Sequence, residues 1–380
     1  MTASRVLTKY IVVLLLSSPV AAGSACPELV WTVSDDQLAV PLGSILDVAV
    51  DAEQTVYLLD AQNMAVRPFS RDGSELPWLG REGEGPGEFV HPRLVASVPG
   101  GGCVVLQDFY SPAVALSRNG DVKRVVDVSL IRGGFMTTLF MGSAHVDATG
   151  RLTVAASTTT DPYDATSPNA RVDEAVSVFR ISQQSGAAEV LFTDHDALAG
   201  ESSIKYDPDI GYYALRSWDV DDTGRLIYAD PTGAYRVFVG HPADGKPLEV
   251  ELTENKADIA NLANRAKRMG RSLAEMPRIV DVQWVGRNLF LVKPTGATPD
   301  AKIWQSGTFE LFDTDGKTHG RCVLAPDYEP EQDMLFLRGS LAILVRGGLS
   351  AVMAHVGARA KKPQSGADEL LVEAYRLALP

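Results

Sequence analysis

Ser44–Asp60 reads SILDVAVDAEQTVYLLD: two short apolar runs joined by a polar turn, the second rich in β-branched and aromatic residues. Short apolar runs bounded by turn-forming residues predict an antiparallel hairpin. The same pattern returns at Arg93–Asp108 (RLVASVPGGGCVVLQD), Gly142–Ser157 (GSAHVDATGRLTVAAS) and Ser217–Asp230 (SWDVDDTGRLIYAD). A weaker copy lies at Arg278–Lys293 (RIVDVQWVGRNLFLVK) and a shortened one at Met334–Arg346 (MLFLRGSLAILVR). Asp147-Ala-Thr-Gly150-Arg-Leu and Asp221-Asp-Thr-Gly224-Arg-Leu are close matches. In such turns Asp accepts local backbone hydrogen bonds and Gly supplies the positive φ of a tight hairpin.

A third strand, and often a fourth, follows each pair. Met64–Phe69 leads into Asp72-Gly73, and Pro112–Leu116 leads into Asn119-Gly120 and Val122–Val128. Ala175–Ile181 is followed by Ala188–Phe192, Tyr235–Val239 by Leu248–Leu252, and Thr308–Phe312 by Asp315-Gly316 and Arg321–Leu324. Four short antiparallel strands recurring every several tens of residues mark propeller blades. A sandwich would not repeat one hairpin at a steady interval, and a βαβ fold would need helices between strands. The sixth unit has Met334–Leu337, Leu341–Val345 and Leu370–Leu377, one strand short. Leu29–Val33 or Leu38–Leu42 lies outside the first unit and can supply it, which removes an exposed sheet edge. The expected fold is all-β: a six-bladed β-propeller closed by an N-terminal strand.

One insertion, over residues 254–275, carries Ile259, Leu262, Ala263, Ala266 and Leu273 near the spacing of an amphipathic helix, closed by Gly270 or Pro277. Its second half is basic, with Arg265, Lys267, Arg268 and Arg271. A solvated face packed beside the ring is the plain reading. A lid or docking element over the channel mouth is the sharper one.

The N-terminus has the three parts of an export signal. Arg5 and Lys9 precede the apolar run Tyr10–Leu16 (YIVVLLL), and the small residues Ala21, Ala22, Gly23, Ser24 and Ala25 follow. That run is too short for a bilayer span, which needs roughly 20 residues. Residues 1–25 are read as a signal peptide and 26–380 as the propeller, placed in the periplasm or outside the cell. Cys26 stands where a lipid anchor would be attached, although Gly23-Ser24-Ala25-Cys26 lacks the usual Leu. Cys103 and Cys322 could pair in an oxidising compartment. The full chain of 380 residues carries 35 Lys+Arg against 48 Asp+Glu, a formal charge of −13. That balance argues against a nucleic-acid or polybasic membrane-surface protein.

After the first blade comes Gly83-Glu84-Gly85-Pro86-Gly87-Glu88-Phe89-Val90-His91-Pro92. It resembles the NHL-repeat consensus, in which Gly-x-Gly-x-Gly-x-Phe-x-x-Pro joins one blade to the next. That resemblance implies that Gly83, Gly85 and Gly87 let the backbone fold over the ring, that Phe89 packs between blades, and that Pro92 opens the next one. From about Trp31 to Leu377 the chain is similar to exported bacterial six-bladed propellers of the NHL and TolB-like groups, including an ending like Tyr375-Arg376-Leu377. Propellers of this kind host binding, lyase, lactonase and scaffold roles.

Few residues point to chemistry. Asp219-Val-Asp221-Asp222-Thr-Gly224, with Asp230 beyond, partly imitates a calcium loop, but it coincides with a repeated hairpin and reads as a β-turn. The histidines are His91, His145, His195, His241, His319 and His355; His145 lies in an innermost strand, where side chains can approach the channel. No Gly-x-Ser-x-Gly elbow and no CxxC or HxxxH spacing occurs. What remains are loops with aromatics: Thr158–Asp173 with Tyr163, and Asp194–Tyr213 with Tyr206, Tyr212 and Tyr213. These tyrosines and His145 are the expected ligand contacts. The expected function is a non-enzymatic binding or scaffold module for a protein, peptide or glycan, with no cofactor. The competing expectation is a metal-dependent lyase or lactonase, using calcium or zinc in the axial channel.

Overall fold

Each repeated hairpin opens a small antiparallel sheet in the computed structural model. It describes residues 27–379 apart from 108–110, 127–138, 160–173, 183–187, 195–217, 231–233, 242–245, 277, 298–306, 325–326, 330–331, 353–369 and 378. The chain enters as β1 (Glu28–Ser34). Blade one is β2 (Ile45–Val50), β3 (Val56–Asp60) and β4 (Ala65–Phe69), and its outer position is taken by residues touching β4 at Val66–Leu79 and Phe69–Glu75. A parallel pair, β5 (Arg81–Glu82) and β6 (Glu88–Phe89), forms the linker. Blade two is β7 (Pro92–Ser97), β8 (Cys103–Gln107), β9 (Ala113–Leu116) and β10 (Val122–Val126). Blade three is β11 (Leu139–Val146), β12 (Arg151–Thr159), β13 (Glu174–Ser182) and β14 (Ala188–Asp194). Blade four is β15 (Trp218–Val220), β16 (Leu226–Ala229), β17 (Arg236–Gly240) and β18 (Leu248–Glu251). Blade five is β19 (Ile279–Trp284), β20 (Leu289–Pro294), β21 (Thr308–Asp313) and β22 (Thr318–Val323). β23 (Met334–Arg338), β24 (Leu341–Arg346) and β25 (Leu371–Arg376) make blade six, completed on its outer edge by β1.

Of the two segments expected to close the ring, the first does so. β1 runs antiparallel to β25 in the register Thr32–Glu373 and Val33–Val372. The second instead leads Leu42 into the core. Trp31 and Val33 reach past the ladder into a cluster with Ile45, Val48 and Phe69 of blade one and Ile343 and Val345 of blade six. Trp31 stacks on Phe69 at 6.1 Å. The closing strand therefore carries apolar burial as well as edge hydrogen bonds.

Period-two alternation sends successive side chains of every strand to opposite neighbours, so the core is a series of seams between blades. Ala49 and Val95 meet in the seam of blades one and two, and Ala96 and Val146 in that of blades two and three. Ile227 and Val282 meet between blades four and five, and Leu291 and Leu337 between blades five and six.

The meander also sorts the connections onto two faces. Inner hairpins, at 51–55, 98–102, 147–150, 221–225, 285–288 and 339–340, are short, and so are the outer turns at 70–74, 117–121 and 313–317. Because strands alternate in direction, these all lie on one face. The opposite face receives the connections between second and third strands and those between blades. The strand ends at Thr159, Glu174, Asp194, Trp218, Glu251, Ile279, Pro294, Thr308, Arg346 and Leu371 stand there. The inserted helix α1 (Lys256–Arg268) belongs to this long-loop face. Asn255 caps its start, accepting the Ala257 N–H at 2.8 Å. Gly270, at φ +69°, ends it: its N–H reaches Lys267 O and the next N–H reaches Ala266 O, a Schellman pattern. Leu262 and Ala266 pack on Met276 and Val280, while Lys267 and Arg268 face solvent.

Candidate functional site

The inner strands carry the charge. In β2, β7, β11 and β19 the pairing with the second strand slips at the same place, between Ile45 and Asp47, Pro92 and Leu94, Met141 and Ala144, and Ile279 and Asp281. Such bulges leave a residue unpaired and re-aim the side chains beyond it. Past the bulge, Asp47 turns toward blade two and accepts the Val95 N–H at 2.9 Å. Asp219, in the unbroken register of β15 with β16, also reaches the next blade, accepting the Trp284 N–H of blade five at 2.7 Å. An inner-strand carboxylate thus ties each of these blades to the next.

Arg338, at the end of β23, joins them. Its Nη2 donates to Asp47 at 2.6 Å and its Nε donates to Val48 O. Asp281 accepts from Gln283 at 3.1 Å. Burial pushes the Asp47 carboxyl above its ordinary range, against the pull of Arg338 and two backbone N–H groups. Asp219 is pushed up to about 7, by burial first. The Trp284 and Val220 N–H groups and Arg338 oppose that shift, and Asp281 adds to it. Asp47 and Asp219 therefore share the field of one guanidinium, and Asp219, which Arg338 acts on from a distance while Asp281 opposes it, holds its proton into the neutral range. Such a group can give or take a proton at physiological pH.

These residues were legible only in part. Asp47-Val48, Asp219-Val220 and Asp281-Val282 are the same apolar–Asp–Val step in three inner strands. The calcium-like reading of Asp219–Gly224 hides it by merging two roles. Asp221 belongs to the turn: Oδ1 accepts the Thr223 and Arg225 N–H groups at 2.9 Å each, and Oδ2 accepts from Arg225 Nε at 3.0 Å. Asp147 repeats the arrangement with Thr149 and Arg151, and Asp313 with Asp315 and Lys317. Asp230 pairs with Arg236. Among the described residues no group of three His, Cys, Asp or Glu side chains could hold a metal ion.

His145 does sit in an inner strand, but its ring turns into the seam toward blade four, where Asp222, Asp147 and Asp221 surround it. Burial lowers its pKa against those charges. Tyr163, Tyr206, Tyr212 and Tyr213 lie outside the described residues. The strand ends that flank them, at Thr159, Glu174, Asp194 and Trp218, all stand at the long-loop face. In the linker, the Gly83 N–H donates to Phe89 O at 3.1 Å and the Gly85 N–H to Glu88 Oε2 at 2.8 Å. Phe89 is fully buried with Leu79, Val95 and Leu116, and Pro92 starts β7. A Cβ on Gly80 would lie 2.3 Å from the Phe89 ring, so this approach requires glycine. Cys103 and Cys322 form no disulfide with each other: they are buried in blades two and five, and burial pushes the Cys103 thiol up to about 12. Cys26 lies outside the described residues.

No family model matches this chain, and no curated protein matches it. Solved structures do. A DUF4221-family protein from Bacteroides vulgatus superposes with a TM-score of 0.53 at 12% identity, over 94% of this chain and 100% of its own. A Bacteroides fragilis protein provisionally described as exported gives 0.51 at 9% identity, over 94% and 96%. What these likenesses establish is the fold. A gluconolactonase from Xanthomonas campestris is more distant, at 0.45 and 11% identity over 92% and 95%. Among the described residues no helix is long and apolar enough to cross a membrane.

Proposed function

We propose that the chain is an exported binding module that takes a protein, peptide or glycan on the long-loop face of its ring. The carrying observation is the division between the faces: tight turns on one, and on the other α1 with the strand ends at Thr159, Glu174, Asp194, Trp218, Arg346 and Leu371, between which the longest stretches of sequence run. Closed sheets position loops, and loops that vary in length and chemistry carry recognition. Tyr163, Tyr206, Tyr212 and Tyr213 bring large amphipathic side chains to those connections, the residue type that dominates binding surfaces. The tripartite leader supports export, with Cys26 offering a point of lipid attachment.

The test is a glycan and peptide array probed with the mature protein, followed by two sets of variants. One set shortens 160–173 or replaces Tyr206, Tyr212 and Tyr213 with Ala; the other alters the hairpin tips at Glu53 and Arg287. Binding should vanish in the first set and survive in the second. The reverse pattern would remove the proposal. A metal-dependent lyase or lactonase in the axial channel is the competing reading, favoured by the near-neutral titration of Asp219. It requires stoichiometric calcium or zinc in dialysed protein, measured by elemental analysis, and a melting temperature that falls on chelation.

A further inference from the structure

The seam between blades three and four differs in kind from its neighbours. Leu152, Val154 and Ile181 of blade three point back into the apolar seam with blade two. The alternate residues, His145, Thr153 and Arg180, therefore form a row across β11, β12 and β13 that faces blade four. Their ladder register places them side by side. Opposite stands Trp218 of β15, which turns away from the Asp219 side and toward blade three. The seam is closed at the hairpin end by the Ala148 N–H on Asp222 O at 3.2 Å and by Arg180 Nη2 on Gly224 O at 2.7 Å.

Four polar atoms in this seam are buried and have no hydrogen-bond partner: His145 Nε2, Thr153 Oγ1, Arg180 Nε and Trp218 Nε1. Thr153 is 0% exposed, Trp218 3% and Arg180 4%. Each such atom destabilises the fold when nothing satisfies it. Arg180 costs more than the other three, because a buried guanidinium needs a counter-charge. Asp147 and Glu189 act on Arg180 without contact, against Arg151, while Asp147 is paired with Arg151 at 2.8 Å and Asp221 with Arg225 at 3.0 Å. Among the described residues none forms an ion pair with Arg180. Two of the four atoms, the guanidinium Nε–H and the indole N–H, can only donate. The Thr hydroxyl can donate as well; the imidazole gives its other ring N–H to the Asp221 backbone, which leaves Nε2 an acceptor while the ring is neutral. His145 stands in the inner strand, at the end of the row nearest the axis.

We propose that this seam is a binding site for a small oxyanion, a carboxylate or phosphate group held by Arg180, Trp218 and Thr153 with His145 at its axial end. An acceptor-rich anion answers the unmet donors of Arg180, Trp218 and Thr153 and gives the guanidinium a partner in direct contact, which a neutral ligand would not. The site is independent of recognition on the long-loop face.

The experiment is NMR on the full mature protein labelled with ¹⁵N-tryptophan, the Trp218 indole signal being assigned with Trp218→Phe. Sodium acetate, phosphate and sulfate are titrated against sodium chloride at matched ionic strength. The Trp218 indole proton should move saturably with at least one oxyanion and not with chloride. Arg180→Gln should weaken that oxyanion about tenfold or more, the worth of a charge-assisted hydrogen bond. If Arg180→Gln does not fold, Thr153→Val gives the same test with a smaller loss. A response that is linear for all salts, or one unchanged in both variants, would overturn the proposal. So would an indole proton that contacts bound water and ignores every anion, which would assign the seam to a water cluster.

Discussion

Replacing Asp219 with Asn gives the sharpest reading of the axial charge. The amide keeps an oxygen for the Trp284 N–H, which the carboxylate accepts at 2.7 Å, and cannot ionise. In the unfolded chain Asp219 titrates near its ordinary 3.8, and in the ring at about 7. Between those values the folded state binds more protons than the unfolded state, so this residue's contribution to stability is complete below pH 4 and lost as pH rises through 7. The whole difference corresponds to a ceiling of about 4 kcal/mol, at 1.36 kcal/mol per pKa unit. Asp219→Asn should therefore gain on the wild type as pH rises, by about 2 kcal/mol between pH 5 and pH 7, and level off above 8. Urea denaturation of both proteins at half-unit pH steps measures this, because groups common to both cancel in the difference. A difference independent of pH, or one that grows on acidification, would refute the burial argument.

Other substitutions probe the rest of the framework. Arg338→Met leaves Asp47 buried without its cation and should cost about 3–5 kcal/mol, while the double variant with Asp47→Asn should recover most of it in a urea melt. Gly80→Ala meets both a positive φ of +76° and the Phe89 ring. It should cost about 2–4 kcal/mol, part of which Phe89→Leu restores in the double variant. Trp31→Ala removes the stacked anchor of the closing strand and should cost about 3–5 kcal/mol by thermal melting; a loss under about 1 kcal/mol would mean that β1 does not bear on the core.

Blade architecture was readable because its signals are local. The Asp-x-Thr-Gly turns at Asp147 and Asp221 and the alternating runs beside them declare hairpins without reference to distant residues. The missing strand of blade six followed from counting, and pairing of Val33 with Val372 meets that need. The axial group was hidden because a bulge has no local signature: nothing in Ile45-Leu46-Asp47 says that the strand slips there and re-aims the carboxylate. Arg338 read as the end of a short hairpin, and only ring closure brings blade six beside Asp47 and Val48. Alternation likewise predicts that His145 and Val146 face opposite ways but not which neighbour each meets. Spacing could not say whether Cys103 and Cys322 pair, and the ring sets them in blades two and five.

Closure of the ring by the first strand underlies every placement above, and a cross-link tests it. Cysteines at Thr32 and Glu373, partners in the β1–β25 ladder, stand within the reach of a disulfide; Cys26 would be replaced by Ser, and the buried Cys103 and Cys322 left alone. The pair should oxidise rapidly and near-completely in the folded protein and raise its melting temperature, whereas cysteines at Thr32 and Arg376, out of register, should stay reduced. Equal oxidation of both pairs, or none in the first, would contradict the closed six-bladed ring.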